Sequence, residues 1–280
     1  CSALTSITVN RHNPVYKSAG NCLIEKSTKT LVLGCKTSII PADGSVTYID
    51  DYAFYGCSGL TKINIPEGIE VIGSYAFCSC LGLTTINIPL TVKGICSNAF
   101  YGCTGLTNIT VDKYNPIYKS AGNCIVDEST KTLVLGCKTS VIPSDGSVTS
   151  IEPFAFGGQS ELMKMTIPEC ITSIDDTSFA GCDNLTIYGV KGSCAETYAK
   201  EKGIPFVASD IPDFVYGDAD GSGEVDITDA MLVFYHVAKK ELLPEEALVR
   251  CNVNDDNDVD IADAMAIFYF VAKKTDSVRQ

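Results

Sequence analysis

Apolar residues recur along much of the chain at an interval of 23 residues. The segment LTKINIP, which begins at Leu60, returns as LTTINIP at Leu83 and as LTNITV at Leu106. Within the first copy, Leu60, Ile63 and Ile65 are separated by polar residues, and the strict alternation at its end is typical of a strand buried on one face. The pattern therefore predicts a short strand in each 23-residue unit.

A longer interval of 102 residues is superimposed on the short one. Residues Ile7–Leu60 match Ile109–Leu162 almost letter for letter, so long units alternate with 23-residue units. Inside the first long unit, Cys22–Glu25 and Thr30–Cys35 flank a polar turn, which predicts a β-hairpin. One unit cannot bury its apolar face alone, whereas stacked units can, so the repeats predict a mainly β solenoid.

The last part of the repeat region predicts a terminal unit with a short helix. Ser193 is a suitable N-cap, the helix should run through Lys202, and Gly203 follows as a C-terminal stop. The outer face of this segment (residues 186–207) is polar, as the end of a solenoid requires.

The turn motifs of the repeats resemble a known family. Asp50–Cys57 (DDYAFYGC) and Ser97–Cys103 (SNAFYGC) are similar to bacterial surface-antigen leucine-rich repeats, the BspA-like group. The resemblance covers about residues 1–208 and implies a curved solenoid used in recognition or adhesion outside the cell. Because Cys1 lies within a repeat and no signal peptide is visible, we expect that upstream repeats and a leader have been removed.

Charge separates the end of the chain from the repeats. The formal net charge is −13 for 280 residues, and the stretch from Phe214 onward holds 14 acidic and 6 basic residues. An acidic balance disfavours nucleic acid and anionic membranes as partners. No apolar run is long enough to span a bilayer. Apolar residues lie among the acids, so this stretch is predicted to fold, with the acids serving as a cation site.

Two acidic loops, 34 residues apart, carry the pattern of a calcium site. Residues 218–229 (DADGSGEVDITD) and 252–263 (NVNDDNDVDIAD) place oxygen-bearing side chains at the positions that a twelve-residue calcium loop uses. Each loop leads directly into a similar apolar helix. We therefore predict two bound calcium ions. The predicted ligands are Asp218, Asp220, Ser222, Glu224, Asp226 and Asp229 in loop one, and Asn252, Asn254, Asp256, Asp258, Asp260 and Asp263 in loop two.

This duplication resembles type I dockerin modules of cellulosomes over about residues 216–274. Position 12 of each loop is Asp, no long helix precedes loop one, and a short segment separates the halves. The departures are Ser222, where Asp is usual, and Asn257, where Gly is usual. The resemblance implies a small all-α module that binds a cohesin module of a scaffoldin. The implied contact residues are Ile227, Thr228, Phe234, Tyr235 and Lys239, then Ile261, Ala262, Phe268, Tyr269 and Lys273.

Histidine and cysteine patterns argue against an enzyme. His12 aligns with Tyr114 and His236 with Phe270 in their internal copies, so neither position requires an imidazole. Five of the 14 cysteines lie three residues before a repeat-opening Leu and predict a column of buried small side chains, with Gln159 in their place in one unit: Cys1, Cys57, Cys80, Cys103 and Cys182. Disulfides between Cys22 and Cys35, and between Cys124 and Cys137, remain open.

The resulting hypothesis is a non-catalytic, secreted cellulosomal component with three parts. Residues 1–208 form the solenoid, residues 209–215 a linker, and residues 216–280 the dockerin. The alternative is a cell-surface adhesin whose repeats bind a protein or a glycan. The outward strand positions, which are small and mostly neutral, name no ligand: Ser6, Thr8, Lys62, Asn64, Thr85, Asn87, Asn108, Thr110, Lys164 and Thr166.

Overall fold

The computed structural model describes most of the chain, which divides by its contacts into two units, Cys1–Ser209 and Asp210–Gln280. The described residues are 3–208, 217–220, 222, 225–239, 242–244, 247–248, 251–253 and 259–276, with the backbone alone for 273–276. The expected linker at 209–215 lies outside the described residues.

Short parallel strands stack along the first unit with the register that the repeat predicts. Ile49 pairs with Ile72, which pairs with Ile95, so each step along this ladder is one 23-residue repeat. A second ladder joins Ile151 to Ile174 in the same way. The strands are β4 (Tyr48–Ile49), β5 (Val71–Ile72), β7 (Gly94–Ile95), β12 (Ser150–Ile151) and β14 (Ser173–Ile174).

Longer parallel strands form where the L-x-x-I-x-I segments stack. Strand β6 (Thr85–Ile88) pairs with β8 (Asn108–Val111), and β13 (Lys164–Ile167) pairs with β15 (Thr186–Gly189), which pairs with β16 (Phe206–Ala208). The expected strand after Leu60 is wrong in one respect. Ile63 and Ile65 are buried as predicted, but residues 61–65 join no ladder. Side-chain alternation thus extends beyond the regular hydrogen bonding.

Each long unit adds a three-stranded antiparallel sheet edge to the solenoid. The predicted hairpin is confirmed in both copies, and a further strand precedes it. The last strand of each hairpin then pairs in parallel with the next ladder strand. The strands are β1 (Tyr16–Ala19), β2 (Cys22–Glu25) and β3 (Thr30–Leu33), then β9 (Tyr118–Ala121), β10 (Cys124–Asp127) and β11 (Thr132–Leu135).

A phenylalanine column and a thiol column run through the solenoid core. Phe77 lies parallel to Phe54 and Phe100, with ring centroids 5.0 and 5.2 Å apart. Beside it runs the predicted thiol column, in which Cys80 Sγ donates to Phe54 O at 3.2 Å and Cys103 Sγ to Phe77 O at 3.1 Å. The column is confirmed for its described members. Every described cysteine is a free thiol, including the four that the hairpins carry.

The terminal helix α1 (Cys194–Lys202) has the predicted bounds, and Gly203 follows it in the left-handed conformation at φ 68°. The expected cap is wrong in detail, because the Ser193 hydroxyl makes no capping bond. Glu196 instead accepts the Gly192 N–H at 2.6 Å, so a carboxylate of the first turn performs this role. The helix contacts β15 and buries Tyr198 against Phe179.

Within the described part of the second unit, two helices have complete bounds, α2 (Ile227–Val237) and α3 (Ile261–Asp276), and they contact one another. Its small core repeats at the 34-residue interval. Ala230 and Val233 of α2 correspond to Ala264 and Ile267 of α3, and all four are buried. Neither helix, nor α1, is long and apolar enough within the described residues to cross a membrane.

Candidate calcium and partner-binding site

Three carboxylates of the first predicted calcium loop converge at the start of α2. Oxygens of Asp218, Asp220 and Asp229 all lie within 4.8 Å of one another. Asp218 and Asp229 are buried, whereas Asp220 is exposed. The Ser222 N–H donates to both Asp218 Oδ1 (3.0 Å) and Asp220 Oδ1 (2.9 Å), which draws the loop around the cluster. Oxygen donors at this spacing fit a hard divalent cation such as calcium.

Asp229 ties the loop to the helix that follows it. Its Oδ1 accepts the N–H groups of Ala219 (2.7 Å) and Asp220 (3.1 Å), and its Oδ2 accepts that of Asp226 (2.8 Å). Asp226 in turn accepts the Thr228 N–H at 2.6 Å, and the side chains of Asp226 and Asp229 each accept the backbone N–H of the other in a capping box. Burial raises the pKa of Asp229 although these backbone bonds oppose the shift. A bound cation would reverse that penalty on the charged form.

The second loop repeats this arrangement 34 residues later. Asp263, which is buried, accepts the N–H groups of Val253 (2.8 Å) and Asp260 (3.0 Å), and Asp260 accepts that of Ala262 (2.7 Å). Each bond has its counterpart in loop one. Asn252 precedes Val253 and is half-buried. The predicted ligands Glu224, Asn254, Asp256 and Asp258 lie outside the described residues.

The predicted partner-contact residues form an exposed apolar stripe on each helix. On α2, Ile227 (49% exposed) and Tyr235 (38%) lie eight residues apart, and on α3 Ile261 (51%) and Tyr269 (58%) repeat them. Residues four and eight apart share one face of a helix. Thr228, Ala262 and Lys239 are also exposed. The side chain of Lys273 lies outside the described residues.

The phenylalanine pair behaves differently in the two halves. Phe234 is half-buried against the small core, while Phe268 is 41% exposed. Sequence reasoning also missed Met231, which lies midway along the α2 stripe and is 41% exposed, and Phe270, which is 57% exposed on α3. The spacing of Met231, four residues from both Ile227 and Tyr235, was the signal that could have found it.

On the solenoid, an aromatic cluster lies at the turns rather than on the strands. Tyr52 (54% exposed) stacks on Tyr75 with centroids 5.2 Å apart, and Tyr55 (49% exposed) meets Tyr52 edge-on at 5.7 Å. Tyr52 and Tyr75 both have a left-handed backbone, at φ 60° and 54°. The outward strand positions, which are small and mostly neutral, carry no comparable cluster, so this exposed aromatic surface lies at the turns.

The two histidines make contacts that need no catalytic role. His12 is exposed and its Nε2 accepts the Arg11 Nε–H at 3.0 Å. His236 Nδ1 accepts the backbone N–H of Leu243 at 3.1 Å, which joins the end of α2 to the segment after it. Neither contact reaches a hydroxyl or a thiol that could act as a nucleophile.

Comparisons with known proteins identify the repeats. The family model for the BspA-type leucine-rich repeat region matches in six copies, over residues 29–145 and 135–200. No curated protein matches the chain.

Among solved structures, a leucine-rich repeat protein from Eubacterium ventriosum is 20% identical, with a TM-score of 0.41 over 54% of this chain and 47% of that chain. The pneumococcal vaccine antigen PcpA is 17% identical, with a TM-score of 0.38 over 63% and 61%. A Bacteroides ovatus leucine-rich repeat protein is 18% identical, with a TM-score of 0.25 over 70% and 67%. The chain thus spans less than two thirds of the length of the first two.

Proposed function

This chain belongs to the family of BspA-type leucine-rich repeat proteins, and from that premise we propose that it is a non-catalytic extracellular binding protein. Repeats of this type are typical of bacterial surface proteins and are generally non-catalytic. Stacked turns offer a ligand an extended surface, and proteins are the ligands that such solenoids suit. In this proposal, the function of the protein is therefore to bind ligands through its two units.

The second unit is, in this proposal, a dockerin that binds two calcium ions and docks to a cohesin module of a scaffoldin. The observation that carries the proposal is the duplicated loop geometry. Asp229 and Asp263, 34 residues apart, are both fully buried and both accept the backbone amides of their own loops. A pair of buried carboxylates in equivalent places is costly unless each is compensated by a cation.

Calcium would act by joining the carboxylates of each loop. Three acidic side chains within 4.8 Å repel one another, and a divalent ion replaces that repulsion with attraction. The loop would then hold α2 and α3 in the relation that exposes their two stripes. Because calcium binding would supply free energy for folding the unit, docking would depend on calcium.

The cohesin would contact the stripe of one helix at a time. Exposed aromatic and aliphatic side chains at the centre of an interface contribute most of the affinity when they become buried. Tyr269 is the most exposed member of the two stripes at 58%, so it is the first residue to test.

Calorimetry of the whole chain against a panel of cohesins, in calcium and then in EDTA, tests the proposal. We expect binding in calcium that EDTA abolishes. A protein carrying both Tyr235→Ala and Tyr269→Ala should bind weakly, while Tyr114→Ala, an exposed tyrosine of the solenoid (69%), should bind normally. Binding that is unchanged in excess chelator would exclude calcium-dependent docking.

A second candidate function, adhesion through the repeats, is favoured by the tyrosine cluster in which Tyr52 and Tyr55 are exposed and Tyr75 is half-buried. Clustered aromatic rings at a surface are common anchors for protein and glycan ligands. A cell-adhesion assay with Tyr52→Ala and Tyr75→Ala tests this role. Adhesion that persists in EDTA, is lost in these variants and needs no cohesin would favour the adhesin over the cellulosomal component.

A further inference from the structure

Each long unit carries a pair of cysteines that its hairpin brings together. In the first unit, Cys22 begins strand β2, and Cys35 lies just beyond the end of strand β3. The two strands pair in antiparallel fashion with Leu23 opposite Leu33, so both cysteines lie at the open end of the hairpin, away from its turn. Both side chains are fully buried. The hairpin thus places two thiols in one small region of the fold.

One turn and one hydroxyl contact both thiols. Cys22 Sγ lies 3.5 Å from Gly20 O, and Cys35 Sγ lies 3.8 Å from the next carbonyl along the turn between β1 and β2, that of Asn21. The Ser38 hydroxyl donates to Asn21 O at 2.6 Å and accepts the Cys35 N–H at 2.8 Å. Its oxygen lies 3.6 Å from Cys35 Sγ and also hydrogen-bonds the Cys22 thiol. The two sulfurs therefore share the same neighbours.

Close backbone packing fixes these neighbours. The Ile39 N–H donates to Gly20 O at 2.8 Å, and a Cβ at position 20 would clash with Ile39 O. Gly20 and Asn21 both have a left-handed backbone, at φ 56° and 57°. Glycine allows the segment 38–39 to approach the turn this closely. Because that approach holds Ser38 against the turn, the thiols keep their positions in the folded hairpin.

The second long unit repeats the arrangement. Cys124 Sγ lies 3.4 Å from Gly122 O, and the Ser140 hydroxyl donates to Asn123 O at 2.7 Å. Ser140 also accepts the Cys137 N–H at 2.9 Å, lies 3.6 Å from Cys137 Sγ and hydrogen-bonds the Cys124 thiol. Repeat units precede and follow this copy along the chain. The arrangement is therefore a property of the long unit.

Thiols of the core column have different surroundings. Cys80 Sγ donates to Phe54 O, and Cys103 Sγ donates to Phe77 O, so each thiol has a separate backbone acceptor. Burial raises the pKa of the Cys103 thiol to about 12. Since the thiolate is the reactive form in disulfide exchange, the column thiols are poor participants in it.

Cys35 is the more reactive thiol of its pair. Its sulfur lies 3.3 Å from the hydroxyl of Thr37, an exposed residue, so the thiol lies just beneath the surface. Burial opposes its ionisation, but hydrogen bonds from Thr37 and Ser38, together with the Lys36 charge, outweigh burial and lower the pKa of this thiol. Burial instead raises the pKa of Cys22. Cys35 is accordingly the sulfur that attacks first.

We propose that each hairpin pair is an oxidation site, at which exchange with a small-molecule disulfide such as oxidised glutathione closes Cys22–Cys35 and Cys124–Cys137 as disulfide bonds. In the first unit, the Cys35 thiolate attacks one sulfur of the reagent, forms a mixed disulfide and releases one small thiolate. The Cys22 thiolate then attacks the Cys35 sulfur and releases the second. Two protein thiols are oxidised, the reagent disulfide is reduced to two thiols, and the two thiol protons reach the released thiolates through solvent.

Refolding in a glutathione redox buffer tests the pairing. The whole chain is unfolded in urea with a reductant, refolded in reduced and oxidised glutathione, alkylated in urea with iodoacetamide and digested with trypsin without reduction. We expect two peptides, SAGNCLIEK (18–26) and SAGNCIVDESTK (120–131), each to be linked to TLVLGCK, while Cys57, Cys80 and Cys103 are alkylated. TLVLGCK occurs at both 30–36 and 132–138, so Cys35→Ser should release the first peptide and leave the second linked. Because unfolding exposes every thiol to the buffer, hairpin peptides recovered unlinked, or linked to other cysteines, would overturn the proposal.

Urea denaturation of the oxidised and reduced chain measures the consequence. A disulfide that closes a loop of about fifteen residues should raise the folding equilibrium constant by about one hundredfold. The parent should gain this factor for each pair on oxidation, and Cys80→Ala, a column variant, should keep the gain. A chain with both Cys35→Ser and Cys137→Ser should show none. An equal gain in that double variant, or a parent destabilised by oxidation, would contradict the proposal.

Discussion

Replacing Asp229 with asparagine separates the two roles of this carboxylate, which are to accept backbone N–H groups and to contribute negative charge to the predicted calcium site. Asparagine keeps the shape and one oxygen, so the bonds from Ala219 and Asp220 can persist. Its amide nitrogen, however, would face the Asp226 N–H that Oδ2 accepts at 2.8 Å. The change also removes one negative charge from the cluster with Asp218. Its effect should therefore depend on whether calcium is present.

Without calcium the two consequences oppose one another. Like charges no more than 4.8 Å apart repel by roughly 3.5 kcal/mol or more at an effective dielectric constant of about 20, and the substitution removes this repulsion from Asp218. Losing the bond from Asp226 costs about 1–3 kcal/mol. The net change in EDTA should accordingly be small. In calcium at about one hundred times its dissociation constant, the parent gains about 2.7 kcal/mol per site, and the variant loses that gain at loop one.

Scanning calorimetry of the whole chain in calcium and in EDTA measures the difference. For a unit of this size, about 2.7 kcal/mol corresponds to a Tm shift of roughly 10–20 °C. The calcium-induced shift of the second unit should shrink by that amount in Asp229→Asn and remain intact in Asp183→Asn, an exposed carboxylate of the solenoid. An equal calcium-induced shift in parent and Asp229→Asn would refute the reasoning.

Three further predictions concern other parts of the chain. Phe77→Ala removes a fully buried ring between two parallel neighbours and should lower the free energy of unfolding, measured in urea, by about 3–5 kcal/mol. Ile39→Ala, at a side chain 73% exposed, should change it little, and a Phe77→Ala effect below about 1 kcal/mol would be inconsistent with the column. Burial raises the pKa of the Cys22 thiol from 9.0 to about 11. The stability that this thiol contributes below pH 9 should therefore be lost as the pH rises from 9 through 11, by up to about 1.4 kcal/mol per pH unit. Denaturation measured across this pH range should show a shallower loss of stability for Cys22→Ala. The double change Phe234→Ala/Tyr235→Ala should leave cohesin binding detectable through the second stripe, and its complete loss in calorimetry would argue against two equivalent faces.

Much of the first unit follows from its repeats. A pattern that recurs every 23 residues places equivalent residues one above another, so the pairing of Ile49 with Ile72 and the phenylalanine and thiol columns could be predicted before any coordinates. The bounds of helix α1 were predictable as well, because Gly203 provides the left-handed stop. Successive turns of a solenoid stack along one axis, so residues one repeat apart in the sequence come into contact.

The sequence by itself thus determined the stacked turns, their register and the duplicated acidic loops. The tertiary structure alone decided how equivalent residues differ: that Tyr118 is covered while Tyr16 is exposed, and that Phe268 is exposed while Phe234 is half-buried. It also decided that Glu196, and not Ser193, accepts at the helix start. The physical reason is that burial and hydrogen bonding depend on the residues that pack around each copy. A sequence pattern that is the same in two copies contains no information about surroundings that differ between them.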